Sequence, residues 1–161
     1  MIKSLSLAGL LFALSALVGA AENDTITIEH AWAPESPPMV SNGAAYMTII
    51  ASGGETDRLI GASGDVAEAI ELHTHSLEDN IMKMRPMEAI EVNPGEPTVL
   101  RPGGLHIMLI KLNQPLVDGQ RFLLMLHFAK AGDVPVEVTV RKVAGTVMPP
   151  KGHQGHGDIR H

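Results

Sequence analysis

The chain has 161 residues, of which 45% are hydrophobic, and its formal net charge is −6. This length suits a single domain, and the apolar content is sufficient for a buried core. Aromatic residues make up only 3% of the chain. Because nucleic-acid binding relies on basic surfaces and aromatic stacking, this composition argues against a nucleic-acid partner.

An apolar segment at the start of the chain predicts an export signal. Lys3 precedes the apolar run 5–18, and small residues follow at positions 19–21. The run is shorter than the roughly 20 apolar residues that span a bilayer, and the pattern is typical of a cleaved secretory signal. We therefore assign residues 1–21 to the signal, with cleavage after Ala20 or Ala21, and expect a periplasmic protein without stable membrane insertion.

The chain contains no cysteine. A disulfide, a lipid-modified cysteine anchor and a blue-copper site would each require one. The fold must therefore be held by packing, and any site for a soft metal must be built from His and Met side chains.

After the signal, short alternating or β-branched runs predict strands, separated by turn sequences rich in Gly, Pro, Asn and Asp. The predicted strands are Thr25 to His30, Ala44 to Ala51, Ala69 to His75, Ile81 to Arg85, Leu105 to Leu112, Arg121 to Phe128 and Val134 to Val140. This regular spacing favours an all-β antiparallel sandwich or barrel over βαβ units, and we place that domain at residues 22–148. The proline-rich stretch 33–38 is expected to be a loop that could lie near a functional site. A helical turn is plausible only at Gly61 to Glu71.

Three of the predicted strands each carry a pair of His or Met residues two positions apart: His73 and His75, Met82 and Met84, and His106 and Met108. Side chains two positions apart in a strand point to the same face of the sheet. If Leu105, Ile107 and Leu109 face the core, then His106 and Met108 face outward, where a metal ion could enter.

Four of these residues form the spacing His73-x10-Met84-x21-His106-x-Met108. Two imidazoles and two thioethers make a soft, neutral ligand set. Cu(I) binds well to such ligands, whereas Mg²⁺ and Ca²⁺ prefer oxygen ligands. Such a set binds less tightly than thiolates, so it suits a carrier that must release its ion. Met82 and Met87 lie near enough in sequence to serve as spare thioethers, and Met82 and His75 are candidate auxiliary ligands.

The spacing resembles the signature of the periplasmic copper chaperones called PCu(A)C. The resemblance extends over nearly all of the mature chain, through the segments Met82-Lys83-Met84-Arg85-Pro86, Leu100 to Leu109, Ala31-Trp32-Ala33 and Gly43-Ala44-Ala45-Tyr46. It implies a cupredoxin-like antiparallel β-sandwich with Greek-key topology and a Cu(I) site made by the four motif residues. It further implies delivery of copper to the binuclear centre of cytochrome c oxidase, with an oxidase subunit or another copper chaperone as the acceptor.

One departure from the family pattern concerns His75. The family often reads His-Glu-Met where this chain reads His73-Thr74-His75. An additional imidazole near the site would favour Cu(II) more than a thioether does.

The C-terminal segment 149–161 is polar and glycine-rich and contains His153, His156 and His161. Imidazoles in a flexible tail suit Cu(II) or Zn(II). The tail is therefore expected either to hold a second, cupric site or to contribute to the main site, and an inert terminus is the alternative.

The remaining His, Met and aromatic residues are expected to be structural. His30 and His127 share strand parity with apolar residues. Trp32 and Tyr46 are expected to pack in the core or against loops, and Met39 and Met47 to fill gaps in the core.

Other functions remain open at this stage. A copper-scavenging or resistance protein, or a zinc carrier, would differ from a chaperone in partner or metal. A cupin-like metalloenzyme would also be a small β protein with His-x-His on a strand, but Glu78 and His106 are each displaced from the cupin spacing, which in a strand reverses the face. No nucleophile, base and orienting group stand out together, so we expect a protein that is not an enzyme.

Overall fold

The computed structural model describes residues 25–78 and 81–143. Within these ranges the chain is all-β, as predicted, and contains ten strands and no helix. They are β1 (Thr25–Pro34), β2 (Gly43–Ser52), β3 (Asp57–Ser63), β4 (Ala67–Glu78), β5 (Ile81–Met87), β6 (Ile90–Val92), β7 (Thr98–Leu100), β8 (His106–Leu112), β9 (Arg121–Phe128) and β10 (Gly132–Arg141).

The strands hydrogen-bond in the order β5-β4-β8-β2-β1-β10-β9-β3-β6, and β7 pairs with β2 beside this path. Strand β2 belongs to two sheets. Its first residues, 43–45, pair with β8, whereas residues 47–49 pair with β7. All pairings between strands are antiparallel except that of β1 with β10, which is parallel over residues 32–34 of β1.

Alternation along the strands builds one core between the two sheets. In β2, every second residue from Ala45 to Ala51 is buried, as expected for a strand with one covered face. Leu72 and Leu109 of the β4/β8 sheet join Leu59 and Val138 of the other sheet in a single apolar cluster. The sheet that carries β4, β5 and β8 therefore has one face in the core and one outer face.

The expected helical turn at Gly61 to Glu71 is wrong, because β3 continues to Ser63 and β4 begins at Ala67. Gly64 lies in the connection, where a Cβ atom would come within 2.8 Å of the Leu123 carbonyl oxygen. Close packing against β9 decides this segment, so tertiary contacts override the helix formers of residues 65–69.

The proline-rich stretch was predicted as a loop from Ala33, but Ala33 and Pro34 are the last residues of β1. Pro34 stands at the end of the strand, where a missing N–H group is tolerated. The loop begins at Glu35, whose backbone N–H donates to the Arg141 carbonyl oxygen at 3.0 Å.

Candidate metal centre

The outer face of β4, β5 and β8 gathers the predicted ligands. In the strand register His73 lies opposite His106, and His75 lies opposite Met84. Met108 follows His106 two positions later on β8 and lies opposite Glu71. Because residues paired across neighbouring strands share a face, the structure brings His73, His75, Met84, His106 and Met108 to one side of the sheet.

His106 is the most buried of these side chains, with only 2% of its surface exposed. The expected strand parity holds, since Ile107 and Leu109 are fully buried in the core. The expected outward exposure of His106 is wrong, because neighbouring rings cover it. Its ring centroid lies 5.0 Å from that of His75, 5.8 Å from that of His73 and 6.4 Å from that of Tyr46.

The backbone fixes how His106 and His75 present their nitrogens. The Nδ1 atom of His106 lies 2.9 Å from the Gly104 carbonyl oxygen, and Nδ1 of His75 lies 3.4 Å from the same oxygen. A carbonyl oxygen only accepts, so Nδ1–H is the donor in both contacts and the neutral rings keep their lone pair on Nε2. Burial lowers the pKa of His106, and nearby His75 and His73 lower it further against the opposing effect of the Gly104 carbonyl. The uncharged form with a free lone pair is therefore favoured.

His73 is oriented in the opposite sense. Its Nε2 atom lies 2.8 Å from Oε2 of Glu71, two residues earlier on the same strand. Because a carboxylate accepts the hydrogen, the lone pair of neutral His73 is on Nδ1. This Nδ1 atom is buried and has no hydrogen-bond partner, and it is the one such side-chain nitrogen or oxygen in the described residues. Buried polar atoms are seldom left unsatisfied, so this nitrogen is free to bind a ligand.

The two thioethers lie on the solvent side of the imidazoles. Met84 is 51% exposed and Met108 is half-buried. Both line an open depression of about 380 Å³ with His75 and His106. The end of β1 at Pro34 and the loop that follows it, with Glu35, Ser36, Pro37 and Val40, also line this depression. The proline-rich segment thus lines the same depression as four of the predicted ligands.

The auxiliary methionines lie in different places. Met82 is 55% exposed and pairs with Leu77, farther out along the β4–β5 hairpin. Met87 pairs with Leu72 and packs against the core. Met87 therefore lies on the wrong face to act as a spare thioether, whereas Met82 shares the face of Met84.

The cupin-like arrangement is not formed. Glu78 binds Arg85 through two hydrogen bonds, Nε to Oε1 at 2.9 Å and Nη2 to Oε2 at 2.7 Å, and also binds Lys83. These partners lower its pKa to about 2. By strand alternation Glu78 lies on the opposite face of the hairpin from His75, so the two cannot share an ion.

The predictions for the other Met residues divide. Met47 is buried in the core as expected, but Met39 is fully exposed in the loop after β1, at a positive φ of 75°. The interpretation of Met39 as a core filler is therefore wrong.

Trp32 and Tyr46 pack on each other with ring centroids 4.9 Å apart.

A hydrogen-bonded chain of Ser63, His127 and Asp133 joins β3, β9 and β10. His127 Nε2 lies 2.9 Å from Ser63 Oγ, and its Nδ1 lies 2.7 Å from Asp133 Oδ1. The sequence indicated no nucleophile, base and orienting group together, whereas Ser63, His127 and Asp133 are hydrogen-bonded in that order. In serine hydrolases the orienting Asp is buried, whereas Asp133 has 65% of its side chain exposed. We therefore infer that these hydrogen bonds link the three strands, in keeping with the structural role predicted for His127.

His30 also has a local role. It occupies a positive φ of 53° at the irregular point between Glu29 and Trp32 in the β1/β2 pairing. Nδ1 of its side chain lies 3.9 Å from Oε2 of Glu29.

Across residues 25–78 and 81–143, no three His, Asp or Glu side chains are grouped so as to hold a metal ion. In the same ranges no helix is long and apolar enough to cross a membrane. The predicted signal at 1–21 and the tail residues His153, His156 and His161 lie outside the described residues.

The fold and the outer face together define a class: a small all-β protein with imidazoles and thioethers gathered on one open sheet face. The chain belongs to the LpqE-like family, described as "Putative lipoprotein LpqE-like", which it matches over residues 26–140. It is 27% identical over 132 residues to "Putative lipoprotein Lxx21020" from Leifsonia xyli subsp. xyli, covering 81% of this chain and 78% of that protein. Lipoproteins are exported, so these names indicate an exported protein.

Solved structures are similar in fold. The "Copper-bound PCuAC domain from PmoF2" superposes with a TM-score of 0.63 at 25% identity, covering 73% of this chain and 93% of that one. The solution structure of CuI-DR1885 from Deinococcus radiodurans gives a TM-score of 0.58 at 29% identity, covering 78% and 83%. Both relatives are described as carrying copper, and the PCu(A)C resemblance of the sequence is consistent with both.

Proposed function

We propose that this protein is a periplasmic copper chaperone that binds Cu(I) through His73, Met84, His106 and Met108. The observation that carries the proposal is the meeting of these side chains on one sheet face, where His73 has a buried nitrogen without a hydrogen-bond partner among the described residues. The copper-bound PCuAC domain and CuI-DR1885, which share its fold, support copper as the cargo.

The ligand chemistry favours the cuprous ion. Neutral imidazole nitrogens and thioether sulfurs are soft or borderline donors, whereas carboxylates suit harder ions. Burial and the neighbouring rings keep His106 uncharged, so no proton has to be displaced from it near neutral pH. The bound ion would keep its single positive charge in a site that brings no charged ligand out of water.

The neighbours of the imidazoles would orient them toward the ion. Glu71 holds the hydrogen of His73 on Nε2, and Gly104 holds that of His106 on Nδ1. Metal-binding His residues commonly donate their second N–H to a carboxylate or a carbonyl in this way. His73 would therefore bind through Nδ1 and His106 through Nε2.

The exposed side of the site suits transfer to a partner. Apolar side chains also lie beside Met84 on its own face of the hairpin, where Leu77 and Met82 pair with each other and are 65% and 55% exposed. A copper acceptor that docks on this face could add its own ligand before Met84 leaves, so no free ion is needed. Following the PCu(A)C resemblance, we propose the binuclear copper centre of cytochrome c oxidase as the destination, reached through an oxidase subunit or another copper chaperone.

The C-terminal tail would add a second, cupric site. The described chain leaves β10 beside the loop that lines the depression, since the Arg141 carbonyl accepts from Glu35 N–H at 3.0 Å. His153, His156 and His161 follow in the sequence. Imidazoles suit Cu(II), so we propose that these residues bind Cu(II).

An anaerobic Cu(I) competition titration of the mature chain tests the main site. We expect the Met84→Leu/Met108→Leu variant to bind Cu(I) at least about 100-fold more weakly, because both soft sulfurs are lost. Met39→Leu is the matched control, since Met39 is fully exposed and lies outside the site, and it should bind as the wild type does. Unchanged Cu(I) affinity in the double variant would refute the proposed site.

A transfer experiment separates a chaperone from a scavenger. Copper(I)-loaded protein is mixed with the apo copper-binding domain of an oxidase subunit, and the metal content of each protein is measured after separation. A chaperone should deliver its ion faster than a Cu(I) chelator of equal affinity does. Retention of the ion would favour the scavenging or resistance function.

A further inference from the structure

His75 is the imidazole that the PCu(A)C pattern does not include, yet it lies within the site. It is directly opposite Met84 in the β4/β5 register. Its ring centroid is 5.0 Å from that of His106, closer than the 5.8 Å between His73 and His106. Any ion held by Met84 and His106 would therefore have His75 beside it.

The depression itself includes His75 and not His73. Its lining contains His75, Met84, His106 and Met108. The side chain of His73 is only 13% exposed, and its free Nδ1 is buried. An ion that enters this depression from solvent would thus contact a set of two imidazoles and two thioethers that includes His75 and not His73.

The hydrogen-bonding of His75 leaves it competent to bind metal. The Gly104 carbonyl oxygen lies near Nδ1 of both His75 and His106, at 3.4 and 2.9 Å. One carbonyl thereby keeps the hydrogen on Nδ1 of both rings and leaves Nε2 of both with a lone pair. No rearrangement of tautomers is required for His75 to become a ligand.

We propose that His75 is a copper ligand of this chain and is interchangeable with His73 in the Cu(I) site. This inference rests on the proposed function. His106, Met84 and Met108 form the constant part of the site, and the fourth position is taken by Nε2 of His75 at the mouth or by Nδ1 of His73 farther inside. An imidazole that binds copper is neutral whichever of the two residues supplies it, so the exchange alters neither the charge nor the softness of the ligand set.

This arrangement would assist uptake and release. When one imidazole dissociates, the other can bind, so the ion stays on His106, Met84 and Met108 and regains a fourth protein ligand as it moves between the two positions. An acceptor that docks at the exposed Met84 would meet the ion in its outer position, bound to His75.

Cu(I) competition with single and double His variants tests the inference. All proteins are full mature chains in which His153, His156 and His161 are replaced by Ala, so that the tail contributes no imidazole. We expect His73→Leu and His75→Leu each to weaken Cu(I) binding by less than about tenfold, and the double variant to weaken it by at least about 100-fold. His30→Leu, which removes an exposed imidazole from β1, serves as the control and should change nothing.

Two results would overturn the inference. If His73→Leu alone loses as much affinity as the double variant, while His75→Leu is unaffected, His75 is not a ligand. If His75→Leu alone loses as much as the double variant, the two residues are not interchangeable. The proposed function fails separately, if the parent chain binds no Cu(I) tightly or is indifferent to loss of Met84 and Met108.

Nitrogen NMR gives a second readout that does not depend on affinity. Long-range ¹H–¹⁵N spectra of the Cu(I)-loaded chain report which ring nitrogen is bound. We expect copper-induced shifts at Nε2 of His75 and of His106 and at Nδ1 of His73. Absence of any shift at Nε2 of His75 would contradict its role as a ligand.

Discussion

Two buried polar residues, Asp57 and His106, differ in how far their hydrogen-bonding groups are satisfied by neighbouring residues. Each is only 2% exposed. Asp57 accepts hydrogen bonds from the backbone N–H groups of Arg58, Lys130 and Ala131 at 2.7 to 2.9 Å. His106 keeps a lone pair on Nε2, and within residues 25–78 and 81–143 the buried Nδ1 of its neighbour His73 has no hydrogen-bond partner.

The difference separates a polar group that stabilises the fold from a polar group that is available to a ligand. The Asp57 site is complete within the protein, because its carboxylate ties the start of β3 to the turn between β9 and β10. The His–Met face is incomplete and would be completed by an ion. Substitutions at Asp57 should lower stability and leave copper binding intact. Substitutions on the His–Met face should weaken copper binding and leave stability intact.

The largest effect on stability is expected for Asp57→Ala. Removing the carboxylate leaves three backbone donors to find water, which we expect to lower the free energy of unfolding by about 3 kcal/mol. Urea unfolding measures the change, and the exposed Asp65→Ala serves as the control, with an expected change within about 0.5 kcal/mol. Cu(I) affinity of folded Asp57→Ala should equal that of the wild type. A loss of Cu(I) affinity in this variant would contradict the separation.

Glu71→Gln is expected to affect the metal site and leave the fold unchanged. The amide oxygen of Gln accepts from Nε2–H of His73 more weakly than the carboxylate does, so the hydrogen is held less firmly on Nε2 and Nδ1 becomes a poorer ligand. Cu(I) affinity should fall roughly tenfold, as measured by competition titration. The neighbouring Glu68→Gln, which removes only an exposed pair with Lys111, is the control. Equal behaviour of the two variants would show that Glu71 does not position His73.

Asp57 should also give the fold an acid dependence. Burial raises its pKa, but the N–H groups of Ala131, Arg58 and Lys130 and the charge of Lys130 outweigh it, so the net pKa lies below its usual value. The unfolded chain therefore binds the proton more readily, and this stabilisation is present above pH 4 or so and is lost as the pH falls further. Urea unfolding at a series of pH values should show a steeper acid decline for the wild type than for Asp57→Asn. Parallel curves would contradict the assignment.

The smallest effect is expected for Glu78→Gln on the outer hairpin. The pKa of Glu78 is lowered to about 2 by Arg85, Lys83 and Ser76, but the carboxylate is exposed and solvent screens these pairs. The melting temperature should therefore fall only slightly in dilute buffer, and the difference should vanish near 1 M salt. A difference in melting temperature that persists in high salt would show that these ion pairs stabilise the fold more than exposed, screened pairs do.

The strands that the sequence predicted are those with clear alternation. All seven predicted strands exist, because apolar residues at every second position need a covered face. The sequence missed β3, β6 and β7. Two of these, β6 and β7, have only three residues each, too few to show a period, and β3 lies partly where helix formers suggested a turn.

The site shows a similar division. Strand parity predicted that His73, Met84, His106 and Met108 could share a face, and the register places them there. The burial of His106 could not be predicted, because it depends on rings from β2 and β4 that are distant in sequence. The role of Glu71 was missed although a signal existed, since a carboxylate two residues before a His on a strand lies on the same face. The contact of Gly104 is made by backbone and leaves no trace in side-chain identity.

X-ray absorption at the copper edge of the Cu(I)-loaded protein tests the central claim most directly, because it counts sulfur and nitrogen neighbours of the metal. We predict two sulfur and two nitrogen ligands in the wild type, and one sulfur in either Met84→Leu or Met108→Leu. A copper environment with no sulfur, or one that is unchanged in both variants, would contradict a His–Met site on this face.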